Sequence, residues 1–165
     1  MIGVVNSSPL IYLGKLGLVN LLNELFDGVF TTRSVMNEVL DDTSPEFAIL
    51  TDAFASWLNL SDVIISPLST KLCEMGLHQG EVDVITLAFD MREKGPVVII
   101  DDLAARDIGR TLGLYITGTI GIILRAVKNN MLSKTDAVVK LNYLVQETPF
   151  RISTKLYLQI LEQLR

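Results

Sequence analysis

Residues 95–102 read Gly-Pro-Val-Val-Ile-Ile-Asp-Asp. The pair Gly95-Pro96 ends whatever helix precedes it. Val97, Val98, Ile99 and Ile100 then follow without a polar residue between them. β-Branched side chains crowd a helix but pack well on a pleated sheet. A strand with no polar face suits the middle of a parallel sheet, covered on both sides. The run closes on Asp101 and Asp102, at the end of the strand where parallel sheets place their sites.

Outward from this strand, short apolar runs alternate with helical patterns. Ile2–Val5 reads as a buried strand, and Ser8-Pro9 as a helix start with Ser8 as cap and Pro9 at the first helical position. A second helical piece covers Leu18–Phe26. Gly28–Thr31 is expected as a strand, with Thr31 or Thr32 capping a helix over Thr32–Leu40. Pro45–Trp57 reads as a helix, Val63–Ser66 as a strand, and Glu81 to about Lys94 as a helix. Beyond the aspartates come a helix to about Leu112, a strand Leu114–Thr117, and helices over Gly118–Lys128, Lys134–Gln146 and Thr154–Leu164. Strands alternating with helices imply an α/β fold, a doubly wound sheet that is mainly parallel, with 165 residues forming a single domain.

Composition narrows the chemistry. Hydrophobic residues make up 49% of the chain and charged residues 20%, as in a folded globular protein. No apolar stretch approaches the length of a membrane span, and no signal-peptide core is visible, so a cytoplasmic protein with no membrane partner is expected. Cys73 and His78 are the only residues of their kinds, which leaves a disulfide, a zinc finger and a Ser-His-Asp triad short of parts. The net charge of −5 weighs against simple electrostatic binding of nucleic acid, yet it suits a carboxylate cluster whose metal ion reverses the local sign.

The candidate carboxylates follow from spacing. Glu38 falls in line with Val35 and beside Val39, and Glu81 in line with Ile85 and Ala88, so both are expected on helix faces that turn inward. A buried carboxylate needs a cation or donors to compensate it. With Asp101 and Asp102 they make a candidate site for Mg²⁺ or Mn²⁺, which prefer oxygen ligands. One aspartate of the pair is expected to cap the next helix, and the other to face the cleft. The bland alternatives are a solvated Glu38, a Glu81 placed for the helix dipole, and caps throughout. Asp83 and Asp90 lie on another face and read as surface acids. Ser7, Ser8 and Thr119 are hydroxyls at strand-to-helix turns, suited to capping or to orienting a carboxylate. Arg106 and Arg110 are placed to grip phosphates or to pair with acids, and Arg33, Arg125 and Lys128 are weaker candidates for the same role. No dinucleotide or phosphate-loop glycine pattern is present.

Five stretches together resemble the PIN-domain proteins: VVNSSPLIYL (4–13), VMNEVL (35–40), GEVDVITLA (80–88), IIDDLAAR (99–106) and GLYITGTIGIIL (113–124). The nearest likeness is to a prokaryotic branch related to the VapC toxins. The resemblance implies a three-layer α/β/α sandwich, usually a homodimer, and a Mg²⁺- or Mn²⁺-dependent ribonuclease often paired with a small antitoxin protein. It implies metal-site roles for Glu38, Glu81 and one or both of Asp101 and Asp102. Ser8 would be the small hydroxyl beside the first acid. The sequence departs from the pattern at that first acid, where the family places aspartate and this chain has Asn6. A neutral amide there implies weaker metal binding, so the alternative is a weakened or inactive PIN-like module that binds RNA or protein. A phosphoacceptor receiver domain is disfavoured, because it needs its acid pair after the first strand.

Overall fold

The computed structural model describes residues 1–165. Packing divides the chain into two compact units, Met1–Thr119 and Ile120–Arg165.

The first unit is built on a five-stranded, wholly parallel sheet in the order β3-β2-β1-β4-β5. The strands are β1 (Ile2–Val5), β2 (Gly28–Thr32), β3 (Leu58–Ser61), β4 (Val97–Ile99) and β5 (Tyr115–Thr117). Between β1 and β3 come helices α1 (Ser7–Lys15), α2 (Asn20–Leu25), α3 (Arg33–Val39) and α4 (Phe47–Ser56). Helices α5 (Pro67–Glu74) and α6 (Gln79–Asp90) lead from β3 to β4, and α7 (Leu103–Thr111) from β4 to β5. The first crossovers run one way from β1 and the later ones the other way. Right-handed connections therefore place α1–α4 on one face and α5–α7 on the other, giving three α/β/α layers. Helix α6 lies across β1, β2 and β4, while α7 packs on β5.

The sequence explains the centre of this sheet. Val4, Val5, Val98, Ile99 and Ile100 are fully buried, as unalternating strands between two helical layers require. The ladder extends to the strand tips: the Asn6 amide donates to Ile99 O at 3.0 Å, and the Ile100 amide to Thr117 O at 2.9 Å. On the side of α1 and α4, Lys15 pairs with the buried Glu46 at 3.1 Å. Gly14 permits that approach, since a Cβ there would stand 2.9 Å from Glu46 Cβ.

Several expectations are corrected. The third strand is Leu58–Ser61, not Val63–Ser66. Leu58, Asn59, Leu60 and Ser61 pair with Val29–Thr32, whereas Ile64 and Ile65 are 79% and 88% exposed. Asn59 disguises the strand, because its amide bonds the carbonyls of Val29 and Trp57. Ser66 opens helix α5 in a reciprocal capping box with Ser69, a helix not anticipated from the sequence. The Glu81 helix ends at Asp90, followed by a 3₁₀ turn over Arg92–Lys94 and a left-handed Gly95. The cap position of α1 is Asn6, not Ser8, so the Ser8 hydroxyl is available for a distant partner.

The second unit is helical: α8 (Thr119–Lys128, entered from the last residue of the first unit), α9 (Lys134–Glu147) and α10 (Thr154–Gln163). Ser133 and Ser153 cap α9 and α10 with their side chains. The Tyr157 hydroxyl donates to the side-chain oxygen of Asn142, joining these two helices. No helix of the chain is long and apolar enough to cross a membrane.

Candidate active site

Strands β1 and β4 are neighbours whose onward connections run in opposite directions, so the crevice beyond their carboxyl ends is the switch point of the sheet. Asn6 follows β1 and Asp101 follows β4. These two residues and those facing them form the candidate site.

Asp101 is the most heavily bonded acid. Its Oδ2 accepts from Ser8 Oγ at 2.8 Å and from Thr119 Oγ1 at 2.7 Å, and its Oδ1 accepts from the Thr119 amide at 2.8 Å. The carboxylate thus ties the ends of β1, β4 and β5 together. Gly118 gives it room, because a Cβ there would lie 2.7 Å from Asp101 Oδ1 and 2.6 Å from an Arg106 guanidinium nitrogen. Asp102 is the cap: its Oδ1 accepts from the Ala105 amide at 2.8 Å, and the residue is exposed. The two aspartates that sequence leaves undistinguished are therefore divided between cap and crevice.

Asn6 and Glu38 make the second half. Asn6 is 6% exposed, and its Oδ1 has no hydrogen-bond partner. A buried amide oxygen left unpaired is costly. Glu38 is exposed, contrary to the inward face expected for it; Val35 and Val39 take the buried positions of the short helix. Its Oε2 accepts from Ser7 Oγ at 2.7 Å, which holds the carboxylate over the start of α1. Gly80, in the first turn of α6, lies beneath both: a Cβ there would stand 3.3 Å from Asn6 Oδ1, 3.3 Å from Glu38 Oε2 and 3.6 Å from Ser7 Oγ.

Glu81 is half-buried, and its Oε2 accepts from the His78 backbone amide at 3.0 Å, closing the first turn of α6. Burial holds its carboxyl above the ordinary glutamate range, against the lowering effect of that amide; the charges of Asp102 and Glu38 add to the upward push. These acids therefore sense one another. No three of the acidic, histidine or cysteine side chains, however, stand close enough to clamp one ion.

A family model described as DUF3368: PIN domain matches residues 2–165. The chain belongs to this PIN-domain family. PIN domains are generally nucleases, acting on nucleic acids with divalent metal ions. Among solved structures, the chain is similar to a PilT N-terminus domain protein from the hyperthermophilic archaeon Sulfolobus solfataricus P2. The identity is 14%, over 92% of this chain and 100% of that one, with a TM-score of 0.44. Curated proteins give no significant match.

Within this PIN domain the remaining candidates separate. Arg106 is half-buried beside Asp101, and one guanidinium nitrogen reaches Ile100 O at 3.5 Å. Arg110 points away from this role, paired on the surface with Asp107 at 3.1 Å. Arg33 lies opposite Asp62 at 3.8 Å. Asp83 is no mere surface acid. It is half-buried and accepts from Ser34 Oγ at 2.6 Å, which fastens α3 to α6, and from the side-chain Nε2 of Gln79 on its own helix at 2.7 Å. Gly80 and the Ser7–Glu38 bond escaped the sequence reading. The available signal was a helix-disfavouring glycine directly before Glu81.

Proposed function

We propose that this PIN domain is a metal-dependent ribonuclease whose reaction centre is the crevice between Asn6, Glu38 and Asp101. The observation that supports it most is the buried, unpartnered Oδ1 of Asn6, converging with Glu38 Oε2 over Gly80. An all-oxygen donor set of this kind fits Mg²⁺ or Mn²⁺, which take one or two carboxylates and complete their shell with water. Asn6 and Glu38 would hold the ion, with Glu81 and Asp101 flanking it. Once bound, it supplies an activated water and neutralises charge on the phosphodiester.

The chain's own residues perform the positioning. Ser7 holds Glu38 in place. Ser8 and Thr119 fill three acceptor sites of Asp101 and hold its carboxyl group in place beside the strand ends. Arg106, with further N–H groups beyond its bond to Ile100, is placed to receive a phosphate oxygen. The match over residues 2–165 supports reading both compact units as parts of one PIN domain. The test is RNA cleavage with and without Mn²⁺, with Glu38→Gln as the variant that should abolish it.

A second reading rests on Asn6 itself. The neutral amide, and acids that do not cluster, favour a module that binds RNA or protein without cutting. Turnover lost in Glu38→Gln would exclude it.

The role of toxin, with a small antitoxin as partner, rests on the sequence resemblance alone. The homodimer is supported by the exposed apolar side chains Val139 and Tyr143 on α9, and Leu156 and Leu158 on α10. Equilibrium sedimentation should show a dimer at micromolar concentration; monomer alone would contradict it.

A further inference from the structure

We propose that the Asn6–Glu38 pocket takes up a divalent cation only together with a phosphate of the bound strand, so that cation and nucleic acid bind cooperatively. This rests on the nuclease reading above and adds an order of assembly to it.

Three observations carry the inference. First, the oxygen that Asn6 offers is neutral, 94% of the residue is withdrawn from solvent, and no group of the protein satisfies it. Second, the one carboxylate oxygen converging with it is Glu38 Oε2, which already accepts from Ser7. Third, Asp101 has three of its acceptor sites filled by Ser8 and Thr119, which leaves few of its lone pairs to ligate an ion directly. Cation affinity in oxygen sites follows the number of charged ligands. A doubly charged ion between these two oxygens gains a single directly ligating carboxylate, because the other acids do not cluster around it. A phosphodiester is the hard, anionic ligand that supplies the further oxygens and charge, and Arg106, half-buried beside Asp101, has N–H groups to donate to it. By linkage, what the strand does for the cation the cation does for the strand, by the same factor.

The experiment is a Mn²⁺ titration followed by electron paramagnetic resonance of the free ion. It uses the full chain alone, with a short single-stranded RNA of mixed sequence, and with a methylphosphonate strand that carries no backbone charge. Gel electrophoresis after each titration checks the length of the RNA. Wild type should bind Mn²⁺ weakly alone and about tenfold or more tightly with RNA, within the usual range of coupling between sites. The uncharged strand should give no gain. Asn6→Asp should bind Mn²⁺ more tightly without RNA and gain less from it. Gly80→Ala, whose Cβ would press on both oxygens, should lose the RNA-dependent uptake while keeping its circular dichroism. Equal Mn²⁺ affinity with and without RNA overturns the proposal; if that protein still cuts RNA, the nuclease reading survives. No Mn²⁺ binding by wild type or Asn6→Asp, with or without RNA, overturns both.

Discussion

Ser8 and Asp101 lie 93 residues apart in the chain and share a hydrogen bond of 2.8 Å across the switch point of the sheet. It joins the helix after β1 to the turn after β4. The first crevice residue, Asn6, is thereby set against the last, Asp101. Ser8→Ala removes one of three donors to that carboxylate. The expected cost is about 1–2 kcal/mol, in the range of hydrogen bonds to charged groups that are partly exposed. Urea denaturation should show a lower midpoint with an unchanged slope. An unchanged midpoint would mean that Thr119 alone holds Asp101.

Thr86 gives a prediction of opposite sign. It is fully buried in α6, and its hydroxyl has no partner. Thr86→Val replaces the unsatisfied oxygen with a methyl of similar shape. Stability should stay level or rise by up to about 1 kcal/mol. A clear loss of melting temperature would reveal a bond to the Thr86 hydroxyl that the fold depends on.

Glu81 sets a pH dependence. Burial raises its carboxyl above the ordinary value of 4.5, so the folded protein holds this proton more tightly than the unfolded chain does. Glu81 therefore contributes most below pH 4.5, and the contribution is lost as pH rises from there through the folded-state value. Glu81→Gln keeps an acceptor for the His78 amide and removes the charge. The variant should gain on wild type as pH rises through that window, in denaturation measured at matched ionic strength. A difference independent of pH would contradict this environment for Glu81.

The legible parts of the sequence were those in which one pattern had one physical meaning. The run Val97–Ile100 could only be a covered strand, and the alternation around it led to the parallel sheet and its three layers. The failures came where side chains do the work of backbone. Asn59 bonds main-chain carbonyls and hides β3, while the more apolar Val63–Ser66 lies outside the sheet. Spacing placed Glu38 with Val35 and Val39, but a helix as short as α3 turns its carboxylate outward at its end, onto Ser7. The division of labour between Asp101 and Asp102 depends on Ser8 and Thr119, which arrive from far along the chain. No local pattern records such partners. Gly80 matters through what lies above it, which only the folded chain reveals.

The most direct test of the central claim is RNA cleavage in Mn²⁺ by wild type, Glu38→Gln and Asn6→Asp assayed in parallel. The account predicts cleavage by wild type that needs the metal, loss of about a hundredfold or more in Glu38→Gln as expected when a group stabilising the transition state is removed, and equal or faster cleavage by Asn6→Asp. Cleavage that persists in Glu38→Gln would place the chemistry elsewhere. Wild type that never cuts, beside an active Asn6→Asp, would show a PIN fold whose metal centre has been retired.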